Sequence, residues 1–117
     1  MRTLTDLASL RGRVALVTGA FGHIGSVFCS ALEELGAEVA AADLPGAPSD
    51  EAGHHQTRRH TFLVDLRDEH QTRQLVPRVL EQFGRLDALV HCAAYVGTTD
   101  VPGWSAPFDD QTLSAWD

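Results

Sequence analysis

Residues 14–25 read Val-Ala-Leu-Val-Thr-Gly-Ala-Phe-Gly-His-Ile-Gly. Four apolar residues in a row have no polar face, so a strand built from them must be covered on both sides. The run passes without a spacer into glycines at 19, 22 and 25, and then into a segment of helical periodicity. A buried strand, a tight turn and a helix in direct succession restrict the chain to βαβ construction, with a parallel sheet between helical layers.

The same spacing has a chemical meaning. Gly19 permits the tight turn, Gly22 leaves room for a diphosphate to approach the backbone, and Gly25 lets the helix lie close to the sheet. The helix start at His23 and Ile24 presents free N–H groups and the positive end of the helix dipole. Three glycines alone are a weak signal; between a buried strand and an amphipathic helix they are a strong one. Asp43 closes the second strand. A carboxylate there accepts hydrogen bonds from the adenosine ribose hydroxyls of NAD. It repels the 2′-phosphate of NADP, and Leu44 and Pro45 follow it with no Arg to reverse that choice. The expected cofactor is therefore NAD in preference to NADP.

Further along, strands are expected at residues 13–18, 38–43, 60–65 and 86–92. Helices are expected at 23–35, with Ile24, Val27, Phe28, Ala31, Leu32 and Leu35 as its inward stripe, and at 68–83, with Leu75, Val79, Leu80 and Phe83 inward. Gly36 and Gly84 stand where helices end. Pro77 falls inside the second of these helices and predicts a kink or a break into two. Residues 44–59 and 93–109 read as loops, and a last helix begins near Asp110, with Asp109 and Asp110 as its caps. Right-handed crossovers give a Rossmann-like doubly wound parallel sheet in the order 3-2-1-4. The chain stops there, so residues 1–117 read as a dinucleotide-binding half-domain, incomplete at the C-terminus. The fourth strand is left as an apolar edge open to self-association.

Composition narrows the function. The net charge is −7, and all nine basic residues are Arg, scattered along the chain, which argues against a nucleic-acid surface. No apolar run reaches membrane-spanning length, and the N-terminus lacks the apolar core of a signal peptide. The expectation is a cytoplasmic protein that acts on a small molecule. Cys29 and Cys92 read as free thiols. His54, His55 and His60 lack metal-ligand spacing and read as solvated loop residues, so no metal is expected. Trp104, Phe108 and Trp116 read as apolar cover for the second long loop.

Several segments carry a resemblance: Gly12-Arg13-Val14-Ala15-Leu16-Val17-Thr18-Gly19, Ala42-Asp43-Leu44, Val64-Asp65-Leu66 and Gly84-Arg85-Leu86-Asp87-Ala88-Leu89-Val90. Together they resemble the N-terminal half of a short-chain dehydrogenase/reductase. The resemblance implies that Asp65 and Leu66 border the adenine ring. It also implies that Ala93 and Ala94 belong to the cofactor site, because His91-Cys92-Ala93-Ala94 stands where the family has Asn-Asn-Ala-Gly. The sheet-bracing asparagines of the family are replaced by His91 and Cys92. The glycine spacing is closer to the extended branch of sugar-nucleotide epimerases and dehydratases, whereas residues 95–108 resemble classical-type members associated with surface-sugar modification. The family's catalysis uses Asn, Ser and Tyr-x-x-x-Lys. Here Tyr95 is followed by Thr99 in the lysine position, and the chain has no Lys and no Asn. The resemblance therefore assigns no catalytic residue in these 117 residues. Three readings stand: an NAD-dependent oxidoreductase on an alcohol or carbonyl, an epimerase or dehydratase of the extended branch, and a non-catalytic NAD-binding module. A methyltransferase fits Thr18-Gly19 and the fourth strand less well.

Overall fold

The computed structural model describes residues 1, 3–47, 58–94 and 106–115. A short helix α1 (Leu4–Ala8) leads into β1 (Val14–Thr18), α2 (His23–Glu34), β2 (Glu38–Asp43), β3 (Arg59–Leu63), α3 (Glu69–Phe83) and β4 (Ala88–His91). The four strands form one parallel sheet in the order β3-β2-β1-β4. This is the expected Rossmann-like arrangement, with strand ends shifted by one to two residues. Helix α1 has no counterpart in the sequence reading. It is a single turn and a half closed by a Thr3–Asp6 capping box.

β1 is central and buried at every position. Its alternate side chains feed two cores. Val14 and Leu16 join Ala40, Ala42, Phe62, Val64, Leu75 and Val79 beneath α3. Val17 joins Ala20, Cys29, Val39 and Ala41 beneath α2. Two sequence segments meet at the bottom of the sheet. The Asp87 carboxylate accepts from Arg85 Nε and Nη2 at 2.8 and 2.6 Å, from the Val14 amide at 2.9 Å and from Arg13 Nη1 at 2.9 Å. The Arg85 guanidinium, then the Val14 amide and Arg13, hold this carboxyl well below the usual carboxylate range.

Helix α2 departs from the expected orientation. Its buried residues are Gly25, Cys29 and Glu33. Of the apolar stripe, Leu32 alone packs against the core; Ile24, Val27, Phe28, Ala31 and Leu35 are exposed. The reason lies in Gly25. A β-carbon there would clash with the Gly19 carbonyl, so the helix turns its small residues to the sheet and swings its large apolar ones aside. Burial pushes the Cys29 thiol up to about 11. Both cysteines are free, as expected.

Helix α3 also corrects the sequence reading. It runs as one helix through Pro77, pinned to the core on either side of the proline by Leu75 and Val79. Leu80 is exposed rather than inward. Asp68 caps its start by accepting from the Gln71 amide, and Gly84 ends it at φ 73°. The final helix is replaced by two 3₁₀ turns, Phe108–Asp110 and Leu113–Ala115. Asp109 and Asp110 lie within the first of these turns and do not cap a helix. Phe108 is exposed; most of the loop it was expected to cover lies outside the described residues. His60 lies on β3, edge-on to the Phe83 ring, and not in a loop. His54, His55, Tyr95, Trp104 and Trp116 lie outside the described residues.

One polar contact ties α2 to the far edge of the sheet. The Arg59 guanidinium of β3 donates to both Glu33 carboxylate oxygens at 2.9 and 2.7 Å and to Ser30 Oγ at 3.4 Å. Glu33 is almost wholly buried. Removing one partner of a buried ion pair strands the other charge. Glu33→Ala is expected to lower stability by about 3 kcal/mol, measured by urea unfolding. Glu33→Gln, which keeps hydrogen-bonding capacity, is expected to lose less. Equal midpoints for the parent and Glu33→Ala would contradict this.

Candidate functional site

The C-terminal ends of the strands surround a cavity of about 740 Å³, within the range of small-molecule sites. Its floor is the glycine turn. Gly19 sits at φ +66°, and a β-carbon on it would come within 2.6 Å of the Ala93 nitrogen and 2.7 Å of the Cys92 carbonyl carbon. The turn after β1 and the exit from β4 therefore touch backbone to backbone. Gly22 differs: it has no positive φ, and a β-carbon there meets nothing closer than the Gly19 carbonyl oxygen, at 3.4 Å. The protein has room for a side chain at Gly22, but that chain would fill the mouth of the cavity.

Gly22 is the N-cap of α2 and carries no side chain to cap it. The first amides of a helix have no partner inside it, and this helix start, at the positive end of the helix, borders the cavity through Gly22 and His23. Such a cradle, unobstructed at Gly22 and rich in donors, fits a diphosphate.

Asp43 stands on the opposite wall. Its Oδ2 accepts from the Phe21 amide and its Oδ1 from the Leu44 amide, each at 2.8 Å. These bonds fix the carboxylate against the glycine turn. Each oxygen keeps a lone pair for a further donor. The third side runs from Val64 to Arg67. Arg67 clamps the Asp65 carboxylate through Nε at 3.0 Å and Nη2 at 2.8 Å. The Arg67 side chain and its backbone amide hold that carboxyl below its usual range.

Of the ten residues singled out in the sequence, Gly19, Gly22, His23, Asp43, Asp65, Leu66, Ala93 and Ala94 line this one cavity. Gly25 does not line it; it is buried beneath Gly19 and lets the helix approach the turn. Ile24 is also not part of the lining, and its side chain is exposed. The sequence reading missed Phe21, Ala42, Leu44, Ala47, Val64, Arg67 and Cys92, which complete the wall. Arg67 was detectable in principle, two residues after Asp65 at a strand end. His91, in the position of a family asparagine, has its Nδ1 3.3 Å from Thr18 Oγ1, linking β4 to β1. Among the described residues no group of His, Cys, Asp and Glu could hold a metal ion. No helix there is long and apolar enough to cross a membrane.

Comparison with known proteins agrees with this architecture. The profile of the short chain dehydrogenase family matches residues 13–117. The D-threitol dehydrogenase of Mycolicibacterium smegmatis is 32% identical over 112 residues, covering 92% of this chain and 40% of that protein. An uncharacterized NAD-dependent oxidoreductase of Mycobacterium tuberculosis is 36% identical over 106 residues, covering 76% of this chain and 38% of that one. Among solved structures, a 3-ketoacyl-(acyl-carrier-protein) reductase from Brucella melitensis complexed with NADH superposes with a TM-score of 0.62 at 28% identity, over 69% of this chain and 34% of its own. The chain thus spans about two fifths of the length of the curated relatives it matches. With the parallel sheet, the glycine turn and the family profile in agreement, the chain belongs to the short-chain dehydrogenase family of oxidoreductases.

Proposed function

We propose that residues 1–117 form the NAD-binding half-domain of an oxidoreductase that interconverts an alcohol and a carbonyl, and that the cavity over the glycine turn holds the cofactor. The observation that carries this reading is the pairing of an unobstructed, donor-rich helix start at Gly22 with the Asp43 carboxylate across the same cavity. In this reading NAD supplies the hydride acceptor. The amides of His23 and Ile24 hold the diphosphate. Asp43, positioned by Phe21 and Leu44, accepts from the ribose diol. Asp65 and Leu66 border the adenine, and Ala93 and Ala94 leave space beside the strand ends for the rest of the dinucleotide. The relatives named above are dehydrogenases, oxidoreductases and reductases, which favours this over an epimerase or dehydratase. A small alcohol, in a polyol or related class, is the proposed substrate of the complete enzyme. We place it in the cytoplasm, where the cofactor is available and free thiols such as Cys29 and Cys92 persist.

The preference for NAD rests on charge. A 2′-phosphate would sit against the Asp43 carboxylate, whereas a free diol donates to it. NAD is expected to bind more tightly than NADP. Asp43→Ala is expected to weaken NAD binding by about 1.5–3 kcal/mol, the value of hydrogen bonds to a charged group, and to narrow the gap between the two cofactors. Calorimetric titration of both dinucleotides into the parent and the variant checks this. Equal or tighter NADP binding by the parent would overturn the preference.

A further inference from the structure

A second groove runs along β3, and it shares no residue with the cavity over the glycine turn. In a parallel ladder alternate residues of a strand bond to the same neighbour. The Val39 amide donates to the Arg58 carbonyl at 2.8 Å and the Val64 amide to the Asp43 carbonyl at 2.9 Å. Residues 58, 60, 62 and 64 therefore face β2, and the N–H and C=O groups of Thr61 and Leu63 point away from the sheet. β3 ends the sheet order, and among the described residues no strand pairs with that outer side. Beside it, Thr61, Phe62, Arg78, Glu81 and Gln82 help to enclose a groove of about 610 Å³. Arg59 also lines it, but its guanidinium is bonded to Glu33 and Ser30. Helix α3 descends past the strand. Arg78 Nη1 donates to the Leu63 carbonyl at 3.2 Å, whereas Phe83 meets His60, upstream, with ring centroids 4.9 Å apart. Arg78 lies over the Phe62 ring, 5.4 Å from its centroid, and among the described residues no carboxylate forms an ion pair with it. Glu81 follows about 4.5 Å further down the helix. The groove is thus cationic where β3 ends and anionic upstream.

We infer that this groove binds the C-terminal end of an extended peptide, added to the sheet as a strand parallel to β3. An edge that offers N–H and C=O together is matched by a polypeptide backbone, which carries both groups at the strand's own spacing of about 3.3 Å per residue. A small anion uses Arg78 alone and leaves the ladder open. The order of charge sets the direction. A peptide parallel to β3 brings its last residue to Leu63. There its free carboxylate accepts from the Leu63 amide and from the donors that Arg78 does not spend on the Leu63 carbonyl. Glu81 faces the residues just before, and it favours a basic side chain among them. The reverse direction sets the carboxylate against Glu81 and the amino end against Arg78. The inference rests on the β3 edge and the charges beside it, and it holds whether or not the other cavity binds NAD.

The test uses an acetylated hexapeptide of alternating valine and threonine, with lysine third from its end and a free carboxylate. It is titrated into the isotope-labelled 117-residue chain and followed by NMR, with fluorescence anisotropy of a dye-labelled copy for affinity. Saturable shifts are expected at the Thr61 and Leu63 amides and at Arg78 Nε. The same peptide with an amidated C-terminus tests the carboxylate on the unaltered protein, and it is expected to bind at least about tenfold more weakly. Arg78→Ala is expected to weaken the free-acid peptide by a similar factor. Arg73→Ala, which removes an exposed arginine paired with Glu69 elsewhere on α3, is expected to leave affinity unchanged. Circular dichroism of both variants checks that the chain still folds. Absence of saturable shifts at millimolar peptide would overturn the inference. So would equal binding of the amidated peptide, undiminished binding by folded Arg78→Ala, or displacement of the peptide by an equal concentration of acetate, which would mark an adventitious anion site only.

Discussion

Gly22→Val is expected to leave the fold intact and to lower NAD affinity at least about tenfold, or 1.4 kcal/mol. The separation follows from local geometry. Gly22 has an ordinary φ and free space around its missing β-carbon, so valine costs the protein little. The same branched side chain occupies the position over the helix start where the proposed diphosphate lies. Gly19→Val is expected to behave differently. Valine at φ +66° carries about 1–3 kcal/mol of backbone strain, and its β-carbon overlaps the backbone of Cys92 and Ala93, adding about 1–3 kcal/mol of overpacking. In a small domain that sum is a large share of total stability. Gly19→Val should therefore lose both its cooperative unfolding transition and cofactor binding. Circular dichroism melts paired with NAD titrations distinguish the two variants. Full NAD affinity in folded Gly22→Val would place the diphosphate elsewhere.

The 117-residue chain alone is expected to show no dehydrogenase turnover. Oxidation of a carbinol requires a positioned group to take its proton as hydride leaves, and such positioning contributes about 10²–10⁴-fold. The family's Tyr-x-x-x-Lys arrangement cannot be assembled here, because the chain contains no Lys. Orientation of substrate against cofactor would add further large factors. The assay is NADH formation with a panel of polyols and small alcohols, run across a size-exclusion profile. Turnover that co-elutes with the chain and vanishes in Gly22→Val would contradict this expectation.

The parts of the molecule legible in the sequence were those governed by short-range rules. The run 14–17 declared a strand covered on both faces. The glycines declared the turn, and Asp43 declared the wall opposite it. Misreadings arose where a distant partner decided the outcome. Helical periodicity placed Ile24, Phe28 and Leu35 inward, since apolar residues at that spacing usually face a core. The closeness required between Gly25 and Gly19 rotated the helix instead, and these three came to rest exposed. Pro77 signalled a kink or a break into two; a single helix runs through it, with buried Leu75 and Val79 on either side. Glu33 gave no sequence sign of burial, because its partner Arg59 lies on another strand. The last helix reduced to 3₁₀ turns for a similar reason. Leu113 there remains exposed, and without tertiary packing a short helix has little to hold it.

The central claim is that the cavity over the glycine turn is a NAD site. It is tested most directly by titrating NAD into the isotope-labelled chain and following the backbone amides by NMR. The account predicts saturable shifts clustered at Gly22, His23, Ile24, Asp43, Asp65 and Ala93, reproduced more weakly by NADP and absent in Gly22→Val. Shifts confined to other surfaces, or none with NAD while the chain remains folded, would contradict it.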